Sequence, residues 1–404
     1  MAVGRCDFPN MSNVAGIMLG TACAGIKQTV KDDILVIQMA EQATCAAVFT
    51  QNAFCAAPVH VAKANLAQGP RWLLINSGNA NAGTGEQGMQ DALLCCAELA
   101  KVVAGGANQV LPFSTGVIGL PLPVAKITAA LPEAIKNLSL DNWDKAARAI
   151  MTTDTFPKGV SKIITLAGQP ITINGISKGA GMIQPNMATM LAFIATDANI
   201  SKALLQNCLA LAVEQSFNRI TVDGDTSTND ACVVMASGCS AAPEITADSD
   251  HYAVFADAIM TVCKQLAEAI IRDGEGATKL IRIVVKEALE MEEAVRVGKT
   301  IAHSPLVKTA FFASDPNWGR ILAAVGRSGV ENMVLENVQI FLDHVCIVRN
   351  GGRADDYTEE AGQQVMNRDE ITVTVKLGRG EAAQEVLTCD LSYDYVKINA
   401  EYRT

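Results

Sequence analysis

Charge, histidine and long apolar runs are what this 404-residue chain has least of. Charged residues make up 18% of it and aromatics 5%, and its four histidines, His60, His251, His303 and His344, are widely scattered. None stands four residues from another, which excludes the paired histidines of a zinc-binding helix. Positive charge is the scarcer sign: 32 Lys and Arg against 42 Asp and Glu leave a net charge of −10. No broad basic surface is therefore available for nucleic acid or anionic lipid. No uncharged apolar run reaches the roughly 18 residues of a membrane span, and Arg5, Asp7 and Pro9 interrupt the start where a signal peptide would carry its apolar core. The 12 cysteines include no Cys-x-x-Cys. Cys23, Cys45, Cys55, Cys95, Cys96, Cys208, Cys232 and Cys263 sit among Ala, Val and Leu, and read as reduced, buried thiols of a cytoplasmic protein without a metal site.

Apolar residues, in contrast, make up 50% of the chain, enough to build a large core and to exclude intrinsic disorder. Alternating and β-branched runs predict strands at 33–39, 72–76, 163–166 and 171–173, then at 189–196, 219–222, 231–235, 277–286, 338–342 and 371–377. Apolar spacing of three and four predicts helices at 88–103, 201–216, 252–272 and 288–299, with Ser201 and Asp250 as caps. This interleaving lacks the strict alternation of a doubly wound parallel sheet. It points to α+β sheet layers flanked by helices.

Two motifs are weaker than they look. Gly83-Thr84-Gly85-Glu86-Gln87-Gly88 fits a dinucleotide fingerprint, but six residues separate it from the preceding strand, and no Asp or Glu closes the next strand region, 109–119, to hold a ribose. A Gly/Asn turn capping a helix is the better reading. The acidic run 223–230 resembles a calcium loop, yet Thr228 replaces the invariant glycine and Val234 stands where the bidentate Glu belongs. It reads as a tight polar turn between two strands, with a support role beside a site.

The informative stretch is Lys178-Gly179-Ala180-Gly181-Met182-Ile183-Gln184-Pro185-Asn186-Met187-Ala188-Thr189. A glycine-rich turn, a small residue and a Thr opening an apolar strand together describe a self-cleaving nucleophile. The hydroxyl can attack the preceding carbonyl only where that peptide is strained and uncrowded, as Gly179, Gly181 and Ala188 permit. Hydrolysis of the resulting ester frees an N-terminal Thr189, whose α-amine, with an ordinary pKa of about 8, serves as general base without a histidine.

The same stretch resembles the processing site of the ornithine acetyltransferases, the glutamate N-acetyltransferase family of arginine biosynthesis. Other segments resemble that family in the right order: Asn76-Ser77-Gly78-Asn79-Ala80-Asn81, Ser114-Thr115-Gly116-Val117-Ile118-Gly119, Met151-Thr152-Thr153-Asp154-Thr155, the 223–230 turn, Asp273-Gly274-Glu275-Gly276-Ala277-Thr278-Lys279, Asp315-Pro316-Asn317-Trp318-Gly319-Arg320 and Ile398-Asn399-Ala400-Glu401-Tyr402-Arg403-Thr404.

The resemblance implies an α+β, four-layer α/β/β/α sandwich shared with self-processing aminopeptidases and akin in logic to N-terminal-nucleophile hydrolases. It implies a cut between Ala188 and Thr189, giving an α piece (1–188) and a β piece (189–404) that stay together as one catalytic unit, usually in an α2β2 assembly. The implied reaction carries acetyl from N2-acetylornithine to glutamate through acetyl-Thr189. Thr115 and Gly116 match the oxyanion-hole pair, and Thr152, Lys178, Thr189, Glu275, Asn399 and Thr404 match the substrate-binding set. Within that set, cationic Lys178 suits the substrate carboxylate and Glu275 the side-chain ammonium of acetylornithine. Thr153 competes with Thr152 for its place. No metal or bound cofactor is implied; acetyl-CoA as a second acetyl donor stays open. Two other readings are a self-processing aminopeptidase that uses water as acceptor and a non-catalytic amino-acid-binding protein.

Overall fold

The computed structural model describes residues 3–4, 7–27, 30–184 and 190–401. Its centre is a pair of sheets stacked face to face. One has four strands, in the order Ile17–Ala22, Ile34–Met39, Trp72–Asn79, Val110–Val117; the other has five, in the order Thr44–Phe49, Ala231–Ala236, Leu191–Thr196, Gln169–Lys178, Lys158–Leu166. Between them Leu35, Ile37, Leu73, Ile75 and Phe113 of the first meet Ile176, Leu191, Phe193, Val233 and Met235 of the second. The Phe113 and Phe193 rings meet edge to face at 5.3 Å.

Helices cover both outer faces. Gly85–Val102 and Val124–Lys136 pack on the four-stranded sheet through Cys95, Cys96, Leu99, Ile127 and Leu131. Lys202–Glu214 and Asp250–Arg272 pack on the five-stranded sheet, the longer helix through Phe255, Ile259, Val262, Leu266 and Ile270, a stripe at three- and four-residue spacing. Strand Leu191–Thr196 is buried along its whole length, as its unbroken apolar run requires of a strand covered on both faces.

This is the four-layer α/β/β/α sandwich. A third sheet, in the order Gly352–Arg353, Val345–Arg349, Gln339–Leu342, Glu370–Lys376, Leu280–Ala288, Ala382–Cys389, adds a separate core with helices Met291–Ala302, Pro305–Phe312, Trp318–Gly326 and Glu359–Met366.

Several sequence expectations need correction. No strand forms at 219–222: Phe217–Arg219 is a 3-10 turn, and the next amides divide between two partners, Thr221 donating to Leu387 and Val222 to Ile183, so no ladder extends. The 223–230 turn therefore precedes a strand but does not follow one. Ser201 does cap its helix, accepting the Leu204 N–H at 3.4 Å, whereas Asp250 is already the first helical residue behind Ser249. Among the described residues every cysteine is a free thiol, but Cys23 is exposed and Cys55 half-buried; burial pushes the Cys45, Cys95, Cys96 and Cys208 thiols up to about 12. No helix among the described residues is long and apolar enough to cross a membrane.

Candidate active site

A cavity of about 280 Å³ opens where the C-terminal ends of strands Val110–Val117 and Gln169–Lys178 meet the N-terminal ends of Leu191–Thr196 and Ala231–Ala236. Thr115, Gly116, Thr152, Lys178, Glu275 and Asn399 all line it, although they come from five separate segments. Ala188, Thr189 and Thr404 lie outside the described residues; Met190 and Leu191 line the cavity. Thr153 lines it beside Thr152.

Thr115 and Gly116 end strand Val110–Val117, which runs parallel to Trp72–Asn79 with Gly116 opposite Gly78. At Gly116 φ is +135°, and a Cβ would overlap the backbone of Gly78 and Asn79, so only glycine lets the two strands approach this closely. The turn is held from outside by amide side chains. Ser114 donates its hydroxyl to Asn76 Oδ1 at 2.6 Å, and Asn229 Nδ2 donates to the carbonyls of Ser114 at 2.9 Å and Ala80 at 2.5 Å. The Asn76 to Asn81 motif thus serves as scaffold: Asn76 donates to the Asn79 carbonyl at 2.9 Å, and Asn79 to the carbonyls of Leu120 and Pro121.

Lys178 closes strand Gln169–Lys178 with 9% exposure and donates from Nζ to Thr115 Oγ1 at 3.3 Å. With that oxygen occupied as an acceptor, the Thr115 hydroxyl proton is free to point elsewhere. Glu275 is 8% exposed, accepts from Asn399 Nδ2 at 2.8 Å, and donates its backbone N–H to the Ala180 carbonyl at 2.8 Å. A Cβ on Gly181 would land on the Glu275 carboxylate, which explains glycine there without any need for flexibility. Asn399 belongs to helix Tyr393–Ala400, which buries none of its residues fully and is attached by Tyr395 packing on the core, by Tyr393 against the Phe312 ring and by the Ser392 Oγ bond to the Gly276 carbonyl at 2.6 Å just before it.

Beneath these groups lies a buried ion triad. Lys158 Nζ contacts Asp154 Oδ1 and Asp273 Oδ2, each at 2.6 Å, and all three side chains are fully buried. Asp154 also accepts N–H bonds from Gly179 at 2.7 Å and Thr152 at 2.9 Å, while Asp273 accepts from the Thr155 amide at 3.0 Å and from its hydroxyl. Burial pushes the Asp154 carboxyl up, but Lys158, Lys178 and the Gly179 N–H outweigh it and hold Asp154 well below the usual carboxylate range. Asp273 is pushed up by burial despite Lys158. Thr152, Lys178 and Glu275 are each within two residues of a member of this triad or of an amide bonded to it.

The acidic turn grips the other side. Asp223 accepts the Met182 N–H at 2.7 Å and the Ile183 N–H at 2.9 Å, Thr226 Oγ1 donates to the Gln184 carbonyl at 3.1 Å, and Tyr395 OH reaches Asp223 at 3.3 Å. The support role expected of this run is therefore concrete: it holds residues 182–184, the approach to position 188. Its last four residues, Ser227 to Asp230, line the cavity themselves, and nothing in the sequence singled out Asn229 and Asp230 from the rest of the run. Among the described residues no histidine lines the cavity, and no cluster of three His, Cys, Asp or Glu is placed to hold a metal ion.

Residues 18–404 match the ArgJ family. The chain belongs to the ArgJ family. Relatives of this ArgJ-family chain include the arginine biosynthesis bifunctional protein ArgJ of Methylococcus capsulatus, 64% identical over 97% of this chain and 96% of that one. Its namesake from Pseudomonas fluorescens is 54% identical over 100% of both. Among solved structures, the arginine biosynthesis bifunctional protein argJ of Bacillus halodurans is 42% identical, with a TM-score of 0.49, covering 51% of this chain and 96% of that one.

Proposed function

We propose that this ArgJ-family chain is a self-processing N-acetyltransferase of arginine biosynthesis that moves acetyl from N2-acetyl-L-ornithine to L-glutamate through acetyl-Thr189. The observation that carries this reading is the cavity itself. It sets a cation, Lys178, and a carboxylate, Glu275, around one chamber with the Thr115-Gly116 turn, and Met190, one peptide bond beyond the nucleophile, lines the same wall. Acetylornithine offers matching charges, its α-carboxylate for Lys178 and its side-chain ammonium for Glu275.

In this scheme the Thr189 hydroxyl gives its proton to the freed α-amine and attacks the acetyl carbonyl. The oxyanion is stabilised by the Thr115 hydroxyl and the Gly116 N–H. Ornithine leaves, glutamate enters, and its amine takes the acetyl group in a ping-pong cycle. The pieces 1–188 and 189–404 remain one unit, paired again as α2β2. No bound cofactor is needed; acetyl-CoA serves, if at all, as an alternative donor. A cytoplasmic setting fits the free thiols.

Mass spectrometry of the denatured protein tests the scheme. Two pieces of roughly 20 and 23 kDa, by proportional length, and one added acetyl on the larger after exposure to acetylornithine alone are expected. A single 42.6 kDa chain that gains no mass would overturn the proposal and favour a non-catalytic amino-acid-binding protein. Glu275→Gln is expected to raise KM for acetylornithine by roughly 10-fold or more, the usual loss of a charge-assisted contact. Unchanged steady-state kinetics would move the ammonium site elsewhere.

A further inference from the structure

One carboxyl in the cavity has no part in the scheme above. Asp230 is 3% exposed and lines the chamber together with Thr115, Gly116 and Lys178. Ser227 donates to it through both hydroxyl and backbone, but Oδ2 is buried with no hydrogen-bond partner among the described residues. A carboxyl oxygen stranded in this way costs folding free energy, so its presence calls for a ligand that reaches it. The backbone around it is rigid: the Asp230 carbonyl accepts the Thr50 N–H at 2.9 Å, and the Ala231 N–H is bonded to the Met190 carbonyl at 2.9 Å, in register with the parallel pairing of Leu191 and Ala231. Asp230 therefore stands beside the strand that follows the nucleophile, in the chamber that Met190 and Leu191 also line.

Amide transfer has a requirement beyond the oxyanion pair, a proton for the departing nitrogen. The amine expelled from the tetrahedral intermediate is a poor leaving group unless its nitrogen is protonated as the C–N bond breaks. We propose that Asp230 is the general acid that protonates the leaving amine of acetylornithine and, in the second half of the cycle, the base that receives the proton of the attacking glutamate amine. This assignment rests on the acetyl-transfer reading given above.

The step balances. The Thr189 hydroxyl proton passes to the α-amine as Oγ bonds to the acetyl carbon. The carboxyl proton of Asp230 passes to the departing nitrogen as the C–N bond breaks, leaving acetyl-Thr189, free ornithine and an Asp230 carboxylate. In the second half the Asp230 carboxylate takes the proton of the attacking glutamate amine, and the ammonium at the chain end returns its proton to Thr189 Oγ as the ester C–O bond breaks, restoring the starting state. Burial supports the role, since it pushes the Asp230 carboxyl well above the usual carboxylate range against the opposing pull of Ser227 and Lys178. Lys178 and Glu275 are the charged groups that share the chamber with it.

Leaving-group dependence separates this role from a structural one. Acetylation of the mature enzyme is followed in one preparation with acetylornithine, whose amine needs a proton to leave, and with p-nitrophenyl acetate, whose phenolate does not. Asp230→Asn keeps the size and the hydrogen bonds but carries no acid. It is expected to lower the acetylornithine rate by about 10² to 10³-fold, the usual worth of a general acid, and the activated-ester rate by less than about threefold. Because both rates come from the same sample, incomplete folding or processing cancels in their ratio.

A ratio that stays at the native value, with both rates falling together or neither, overturns the assignment. Asp230→Ser provides a second acid-free variant if Asp230→Asn does not mature. Failure of both to mature also overturns it, because Asp230 would then belong to folding or self-cleavage. A native protein that transfers acetyl from neither donor would instead bring down the acetyl-transfer reading itself, a result distinct from an unmoved ratio in an active enzyme.

Discussion

Thr189→Ala is expected to yield a folded, single-chain protein of 42.6 kDa with no acetyl transfer. Two losses follow from removing one hydroxyl, because in the proposed scheme the same oxygen attacks the Ala188 carbonyl during maturation and the acetyl carbonyl during turnover. The expected fall in kcat is on the order of 10⁶, the scale seen when an obligatory covalent step loses its nucleophile. Stability should be nearly untouched, since the buried strand Leu191–Thr196 and its pairings begin beyond the substituted residue. Urea unfolding and the intact mass check both halves. A variant that is still cut and still active would remove Thr189 from the chemistry.

Lys158→Met should be the most damaging substitution outside the reacting groups. It leaves Asp154 and Asp273 facing each other in the interior without the cation that both contact. Breaking a buried ion cluster by removing one partner typically costs about 3–5 kcal/mol, which urea unfolding would register as a lower midpoint. The functional loss should be distinct. Thr152 and Gly179 hang from Asp154, and Asp273 is two residues from Glu275, so the groups for carboxylate and ammonium would lose their common strut. KM for both substrates should rise more than kcat falls. Neutralising all three, with Asp154→Asn and Asp273→Asn added, should recover part of the stability but not the KM. If stability and KM recover together, the triad serves folding alone.

The elements legible in the sequence were those whose periodicity and punctuation agree. The run 189–196, apolar between its two threonines, becomes the doubly covered strand Leu191–Thr196, and Ser201 caps the helix that follows. The strand Lys158–Leu166 was half hidden because its first residue is a lysine, which pattern alone assigns to solvent, yet here it is buried between two carboxylates. Helix Val124–Lys136 carries Pro132 in its interior, a residue that argues against a helix until packing overrides it. At 219–222 the apolar alternation is real, but Thr221 and Val222 bond to different partners, and no local rule foretells that.

The candidate site shows the same division. Its motifs could be quoted one by one, but that Lys178 would touch Thr115 across 63 residues depends on two sheets stacking, which spacing does not encode. Asp230 was hidden for a related reason. Within an acidic run every carboxylate looks solvated, and only the tertiary structure separates Asp223, bonded to two amides, from Asp230, stranded in the chamber.

The five-stranded sheet carries one more implication. Strands Gln169–Lys178 and Leu191–Thr196 are antiparallel neighbours in its middle, and the proposed cut falls in the connection between them. A ribosome can only begin a protein with an initiator residue at a loose end, so it has no means of delivering a free α-amine to such an interior location. Assembly of the sheet must come first and scission second. Under the proposed scheme maturation then acts as an inspection stamp: a chain that has not yet folded, or has folded wrongly, would carry no nucleophile and spend no acetyl groups. A chain that carries one has already passed the test of building its own centre.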